Sequence, residues 1–208
     1  MAQDYHSAQR TWQSRFDTRR LADRLADATS KHISDAHRGF IEARDMFFIA
    51  TADRSGSPQC SHKGGAPGFV RVIDDRTLAC PSYDGNGMYL TAGTVDANPR
   101  VGLLFMDLET GTRLRVNGVA SIATDDPLTS SWPKAQFVVR VRVDAVFANC
   151  RRYGHSYQLV ERSRFVPVAD EEPPVPDWKL DPWFDGTLSA DDPARDPDHP
   201  SAPAIPQF

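Results

Sequence analysis

Apolar and polar positions change period several times along this chain of 208 residues. Trp12, Phe16, Leu21, Leu25 and Ala28 recur at spacings near three and four, with Arg and Asp between them. That period predicts one amphipathic helix from Trp12 to about Ala28, after a loose polar start over residues 1–11. Ser34-Asp35 offers an N-cap to a second short helix that carries Phe40, Ile41 and Ala43 and ends near Arg44. Core packing is the expected role of Phe16, Leu25 and Phe40.

The period then shortens. Met46 to Ala52 is apolar, aromatic and β-branched, and predicts a buried strand. Asp53 to Pro58 is a hairpin turn, because Gly56 tolerates positive φ and Pro58 fixes the exit. Gln59 to Lys63 returns as a strand, bent by Gly64-Gly65 and Pro67-Gly68. Further strands are expected at Phe69–Ile73, Thr77–Cys80, Val101–Met106 and Arg113–Ile122, with a short helix around Tyr89–Asp96 stopped by Asn98-Pro99. Gln136 to Phe147 is the longest strand. Phe137, Val139, Val141 and Val143 fall on one of its faces, and Arg140, Arg142 and Asp144 on the other. Many short strands with close turn signals predict an antiparallel sandwich or barrel, mainly β with flanking helices.

From Asp170 the character shifts to Pro and Asp, which cannot bury enough to fold alone. Trp178, Leu180, Trp183 and Phe184 interrupt it, and such bulk is expected to dock on the core or on a second subunit. The expected organisation is an arm and helix over 1–33, a barrel domain over 34–169 and a tail over 170–208.

Composition narrows the function. The formal net charge is −4, against the basic face expected of a nucleic-acid binder. No apolar run approaches the roughly 20 residues of a membrane span, and the start lacks the pattern of a secretory signal. Cys60, Cys80 and Cys150 are too few and too far apart for a disulfide framework. The expectation is a cytoplasmic protein with reduced thiols, without membrane or nucleic-acid partners. Cys60-x-His62 and Cys150 with His155 fit no common zinc spacing, so no metal is expected. Cys60 and Cys80 fall in strands, where a small buried thiol is the usual role.

Three stretches carry candidate chemistry. Ser61-His62-Lys63-Gly64-Gly65 combines a cation with backbone that can approach a ring or a phosphate. Tyr83-Asp84-Gly85-Asn86-Gly87-Met88, followed by Thr91 and Thr94, places hydroxyls and amides near a helix start, where a phosphate could sit. Arg113, Arg115 and Asn117 share a strand face, and one of them could point into a cleft between subunits. Taken singly, these are an exposed hairpin lysine, an ordinary turn and solvent-facing arginines.

Taken together, they resemble the pyridoxamine 5'-phosphate oxidase-like family of flavin-binding split β-barrels. The resemblance rests on Phe48–Thr51, Cys60–Val72, Pro81–Met88, Asn98–Phe105, Arg113–Gly118, Asn149–His155 and Pro176–Lys179. It implies an antiparallel split β-barrel that forms a homodimer, with FMN in the clefts between subunits. It places Ser61, His62, Lys63 and Gly64 along the flavin and ribityl chain. Pro81 and the turn of Asn86, Gly87 and Met88 fall near the phosphate or ring edge, and Arg113 on the strand facing the isoalloxazine; Thr91 and Thr94 stay phosphate candidates from their own position, and Tyr83 a candidate wall of the substrate pocket. Trp178 and Lys179 would belong to an element that crosses to the partner. The vitamin-B6 oxidase carries a basic pair where this chain has Gly87-Met88, which speaks against pyridoxine phosphate as substrate. The function implied is an FMN-dependent oxidoreductase on a small organic molecule, either an oxidase or an NAD(P)H-linked reductase. A non-catalytic flavin binder or sensor, and a barrel holding deazaflavin F420 or haem, stand as alternatives.

Overall fold

A computed structural model describes residues 4–196 and 198–201. The outermost parts of the expected arm and tail, residues 1–3 and 202–208, lie outside the described residues, as does residue 197. The chain divides into two units, residues 1–158 and 159–208.

The first unit opens with α1 (Ser7–Arg15) and α2 (Arg19–Asp27). The periodicity predicted one helix here. The chain instead breaks at Asp17, whose φ is +51°, a left-handed value that ends α1. Arg10 meets Asp23 at 2.6 Å, and the Tyr5 hydroxyl donates to the Ala22 carbonyl, so the two helices fold against each other. Phe16 and Leu25 do not reach the core. They are 67% and 58% exposed, because a two-turn helix pair lying outside the sheet has no apolar surface to bury them on. The next expectation holds: α3 (Asp35–Glu42) starts at an N-cap Ser34 whose hydroxyl accepts from the His37 amide. It buries Ile41 fully and packs Phe40 against the core.

Seven strands follow: β1 (Met46–Ala52), β2 (Pro58–Gly64), β3 (Arg71–Asp74), β4 (Thr77–Ser82), β5 (Arg100–Met106), β6 (Arg113–Ala123) and β7 (Phe137–Asn149), with α4 (Leu90–Ala97) between β4 and β5. They form one antiparallel sheet in the order β2-β1-β5-β6-β7-β4-β3. Alternation along β1, β5 and β6 puts Phe47 and Ile49, Val101, Leu103 and Phe105, and Leu114 and Val116 into one core. The period of two does this without help from the turns.

In β7 the alternation changes phase. Val139, Val141 and Val143 point inward, and so does Val146. The change comes from an irregularity opposite Asn117/Gly118, where Gly118 pairs with Val143 and Asn117 pairs with Ala145. Asp144 is the extra residue, and one inserted residue flips every later side chain to the other face. Gly118 is needed there, since an added Cβ would lie 2.3 Å from the Arg142 carbonyl oxygen. On the outer face, Trp132 covers Val138 and Ala79 in a smaller cluster.

The second unit has little regular structure. Short 3-10 turns at Asp177–Leu180 and Pro182–Phe184 place Phe184 edge-on to both Trp178 and Trp183. The Lys179 ammonium meets Asp192 at 2.7 Å, with both side chains largely covered. Among the described residues no helix is long and apolar enough to cross a membrane.

Candidate functional site

β1 and β4 are separated by three strands in the sheet, yet Phe47 and Ile49 of β1 line one cavity with Cys80 of β4. The sheet must therefore curl until its two ends face each other. The cavity has a volume of about 310 Å³, at the small end of the range for ligand sites. Its floor is apolar: Phe47, Ile49, Phe137 and Val139, all members of the core.

One wall is the edge strand β2. Ser61 pairs with Ile49 and Lys63 with Phe47, so the side chains of Ser61 and Lys63 share the inward face. His62 pairs with Phe48 instead, and its ring packs edge-on to that phenyl at 5.9 Å. His62 borders the cavity, but its imidazole sits on the opposite face of the strand. It is therefore an exposed ring leaning on Phe48 and turned away from the face that Ser61 and Lys63 share.

Lys63 is half-buried, and among the described residues it has no carboxylate partner. Burial holds its ammonium below the usual lysine range, with the neighbouring Cys80 opposing that shift. Cys80 is buried, and burial pushes its thiol up to about 12. It is neutral at physiological pH and inert as a nucleophile. Of the expected buried thiols only this one is buried; Cys60 is exposed on the edge strand, as is Cys150 outside the site.

The opposite wall is the segment from Pro81 into α4. The Tyr83 phenol lies against the cavity, its pKa raised by burial. The Asn86 side chain accepts from the Met88 amide at 3.1 Å and so tightens the loop. Gly87 (φ +73°) and then Tyr89 (φ +48°) take left-handed conformations, an unusual one for a tyrosine. Tyr89 is the N-cap of α4 and makes no side-chain capping bond. Leu90, Thr91 and Ala92, which carry the open amides of that first turn, line the cavity. The Thr91 hydroxyl donates to Ser61 Oγ at 3.2 Å and ties the two walls together.

Of the residues singled out from sequence, Ser61, His62, Lys63, Pro81, Tyr83, Asn86, Gly87 and Thr91 line this cavity. Gly64, Met88 and Thr94 adjoin it in sequence without lining it. Arg113 stands at the start of β6, opposite Met106 and Asn149. Its Nε is buried and has no hydrogen-bond acceptor. Trp178 and Lys179 belong to the second unit, where Lys179 is engaged with Asp192. The sequence reading missed Tyr89, Leu90, Phe137 and Val139 as lining residues. The alternation of β7 marked the last two as core and gave no sign that this stretch of core was open.

A cation without a counter-ion, an uncapped helix start and a flat apolar floor form a donor set suited to a ligand with an anionic group and a planar ring. The family profile described as pyridoxamine 5'-phosphate oxidase matches residues 33–162, which takes in every strand of the sheet. Among solved structures, HupZ of Group A Streptococcus is 19% identical, with 61% of this chain and 99% of that chain covered and a TM-score of 0.47. An FMN-binding protein of Syntrophomonas wolfei subsp. wolfei is 12% identical, covering 69% of this chain and 95% of that one, with a TM-score of 0.42. HutZ, the heme storage protein of Vibrio cholerae, is 18% identical, with 56% and 94% covered and a TM-score of 0.42. At these identities and scores nothing is transferred from them to this chain. No curated protein matches. The profile match spans well over half of the 208 residues, and the chain belongs to the pyridoxamine 5'-phosphate oxidase family.

Proposed function

We propose that the cavity binds FMN and that the protein is an FMN-dependent oxidoreductase acting on a small organic molecule. The observation that carries this is the meeting of the Lys63 ammonium and the uncapped start of α4 across one apolar-floored cavity. When bound, FMN supplies reversible hydride transfer at its ring. The chain's own residues do the rest. The α4 amides, with Thr91 and Asn86 beside them, are placed to hold a phosphate. Lys63 keeps a positive charge against the apolar floor, where a developing negative charge is stabilised more than in water. Tyr83 presents a neutral phenol that can donate a hydrogen bond but does not ionise near pH 7. With its imidazole turned away, His62 is not assigned proton transfer.

FMN is larger than the volume one chain encloses, so part of it would lie beyond this chain's walls. A homodimer would cover that part. Arg113, a guanidinium with a buried and unsatisfied Nε, suits a role in the second copy's cavity. Deazaflavin F420 offers the same ring and anion chemistry. Haem would call for an iron ligand, and the one histidine bordering the cavity points its ring elsewhere.

The test is the absorbance spectrum of fresh protein, followed by NAD(P)H under anaerobic conditions and then air. A flavin spectrum that bleaches and recovers supports an oxidoreductase. A flavin spectrum indifferent to reductants and substrates leaves a binding protein. A colourless protein that does not take up added FMN contradicts the reading.

A further inference from the structure

The end of the sheet where β6 begins and β7 leaves collects positive charge that the fold does not neutralise. Arg113 pairs with Asn149 and Arg115 with Phe147. Leu114 and Val116 point into the core, so both arginines stand on the outer face of β6. Directly after Asn149 the chain turns, and the Gly154 amide donates to the Arg151 carbonyl at 3.0 Å. This turn is seated on Arg113. A Cβ added at Gly154 would lie 3.2 Å from Arg113 Nη2, so the bare glycine lets the backbone close over the guanidinium. Arg151, Arg152 and Tyr153 are exposed, Tyr153 to 84%.

Other arginines of the sheet and its surroundings are paired. Arg44, Arg100, Arg140 and Arg142 each meet an aspartate at 3.0 Å or less. Among the described residues Arg113, Arg115, Arg151 and Arg152 meet no carboxylate, and the Nε of Arg113 is buried without an acceptor. The β5–β6 turn lies alongside, with the Leu108 carbonyl accepting from the Tyr157 amide. Of its two acids, Asp107 is taken by Arg44, and Glu109 pairs with none of the four.

We infer that this turn and the face of β6 beside it bind the phosphates of a nucleotide, with the Tyr153 ring as the platform for its base. Guanidinium forks match phosphate oxygens two at a time. Several of them around one turn suit a ligand with more than one phosphate, and an open aromatic ring in the same turn offers a base a face to stack on. A nucleic-acid backbone would ask for a longer basic track. Here the patch is one turn and two strand positions, in a chain of net charge −4. The ligand is therefore a nucleoside diphosphate unit, either free or within a nicotinamide dinucleotide.

This inference does not rest on the flavin. Cys150 adjoins the turn while Cys60 lies on β2, and both thiols are exposed, so the native chain carries a reporter and a control. The test is the rate of maleimide labelling at each, in the full chain, with ADP, NADPH, inorganic pyrophosphate or a single-stranded oligonucleotide. ADP and NADPH are expected to slow labelling of Cys150 and to leave Cys60 unchanged. Tighter binding of NADPH than of ADP makes the source a dinucleotide, and equal binding makes it the free nucleotide. By calorimetry, Arg151→Ser/Arg152→Ser should raise the Kd for ADP about tenfold or more. Tyr153→Ala should raise it about fivefold or more and leave pyrophosphate binding as it was. No protection of Cys150 by either nucleotide overturns the inference, and so do variants that bind ADP as tightly as wild type. Pyrophosphate binding as tightly as ADP makes the patch a general anion site, and an oligonucleotide binding far more tightly than ADP makes it a nucleic-acid site; each overturns it as well. Should a variant misfold, Cys150 protection in wild type decides. Protection by ADP in protein that takes up no FMN fails only the flavin reading, and FMN uptake without that protection fails only this inference.

Discussion

Lys63 is the residue on which the site's chemistry turns. An anionic ligand beside it stabilises the ammonium and so raises its pKa on binding. Binding then takes up a proton wherever the free protein's Lys63 has begun to lose one. The sign follows: FMN affinity is greatest at neutral pH and falls as pH rises through the depressed pKa of free Lys63, starting below the usual lysine value. Lys63→Met is expected to weaken FMN binding by about tenfold to a hundredfold, the size of one charge-assisted hydrogen bond, and to flatten that alkaline slope. Fluorescence titration against pH reads both. Cysteine reactivity gives a second check at this scale. Cys60 and Cys150 are exposed and Cys80 is not, so a maleimide at about pH 8 should label two thiols in the native protein, and the third only after denaturation. Rapid labelling of all three would mean that the floor beside Lys63 is open to solvent. The spacing of Ser61 and Lys63 along a strand was legible in the sequence. That their face points at Phe47 and Ile49 was not, because register is a property of the paired strand.

At the scale of elements, the strands, α3 and the helical character of the N-terminal stretch were legible, and the break at Asp17 was not. Ser34 followed by apolar positions at helical spacing marked α3 correctly, since a cap is a local signal. Ser34→Ala is expected to cost about 1 kcal/mol, measured as a shift in the urea midpoint. The α1–α2 segment shows what local signals leave out. Its period of near 3.6 is genuine, but the pattern does not say whether an apolar face is covered. The irregularity in β7 was invisible for a related reason. Val143-Asp144-Ala145-Val146 contains no turn residue, and only the pairing with Gly118 makes Asp144 the extra one. Gly118→Ala must move the Arg142 carbonyl, and a loss of about 1–3 kcal/mol is expected, the range for overpacking. Unchanged thermal stability would mean that the two strands are not pressed together there.

At the scale of the molecule, the family and the antiparallel barrel were foreseen from a resemblance carried by ordered segments scattered over the chain. The site was legible only in its walls. Its floor comes from strands distant in sequence. A bidentate ion pair ties the β6–β7 connection to β7. The Arg140 guanidinium reaches both carboxylate oxygens of Asp126, at 2.5 and 3.0 Å, and these bonds hold that carboxyl below its usual range. Because the folded pKa is depressed, the pair stabilises the fold above the ordinary aspartate pKa, and its contribution is lost as pH falls through the folded value. Asp126→Asn should therefore destabilise by about 1–3 kcal/mol at neutral pH, with the difference from wild type shrinking in acid. Urea unfolding at the two pH values measures it.

The central claim is a flavin held in the curl of this sheet and shared between two copies. Native mass spectrometry of freshly purified full-length protein tests it in one spectrum, because subunit number and bound ligand are weighed together. The account predicts a dimer carrying one FMN per chain, and ligand loss in Lys63→Met without loss of the dimer. A monomer, or a dimer that carries haem or stays empty in excess FMN, would contradict it.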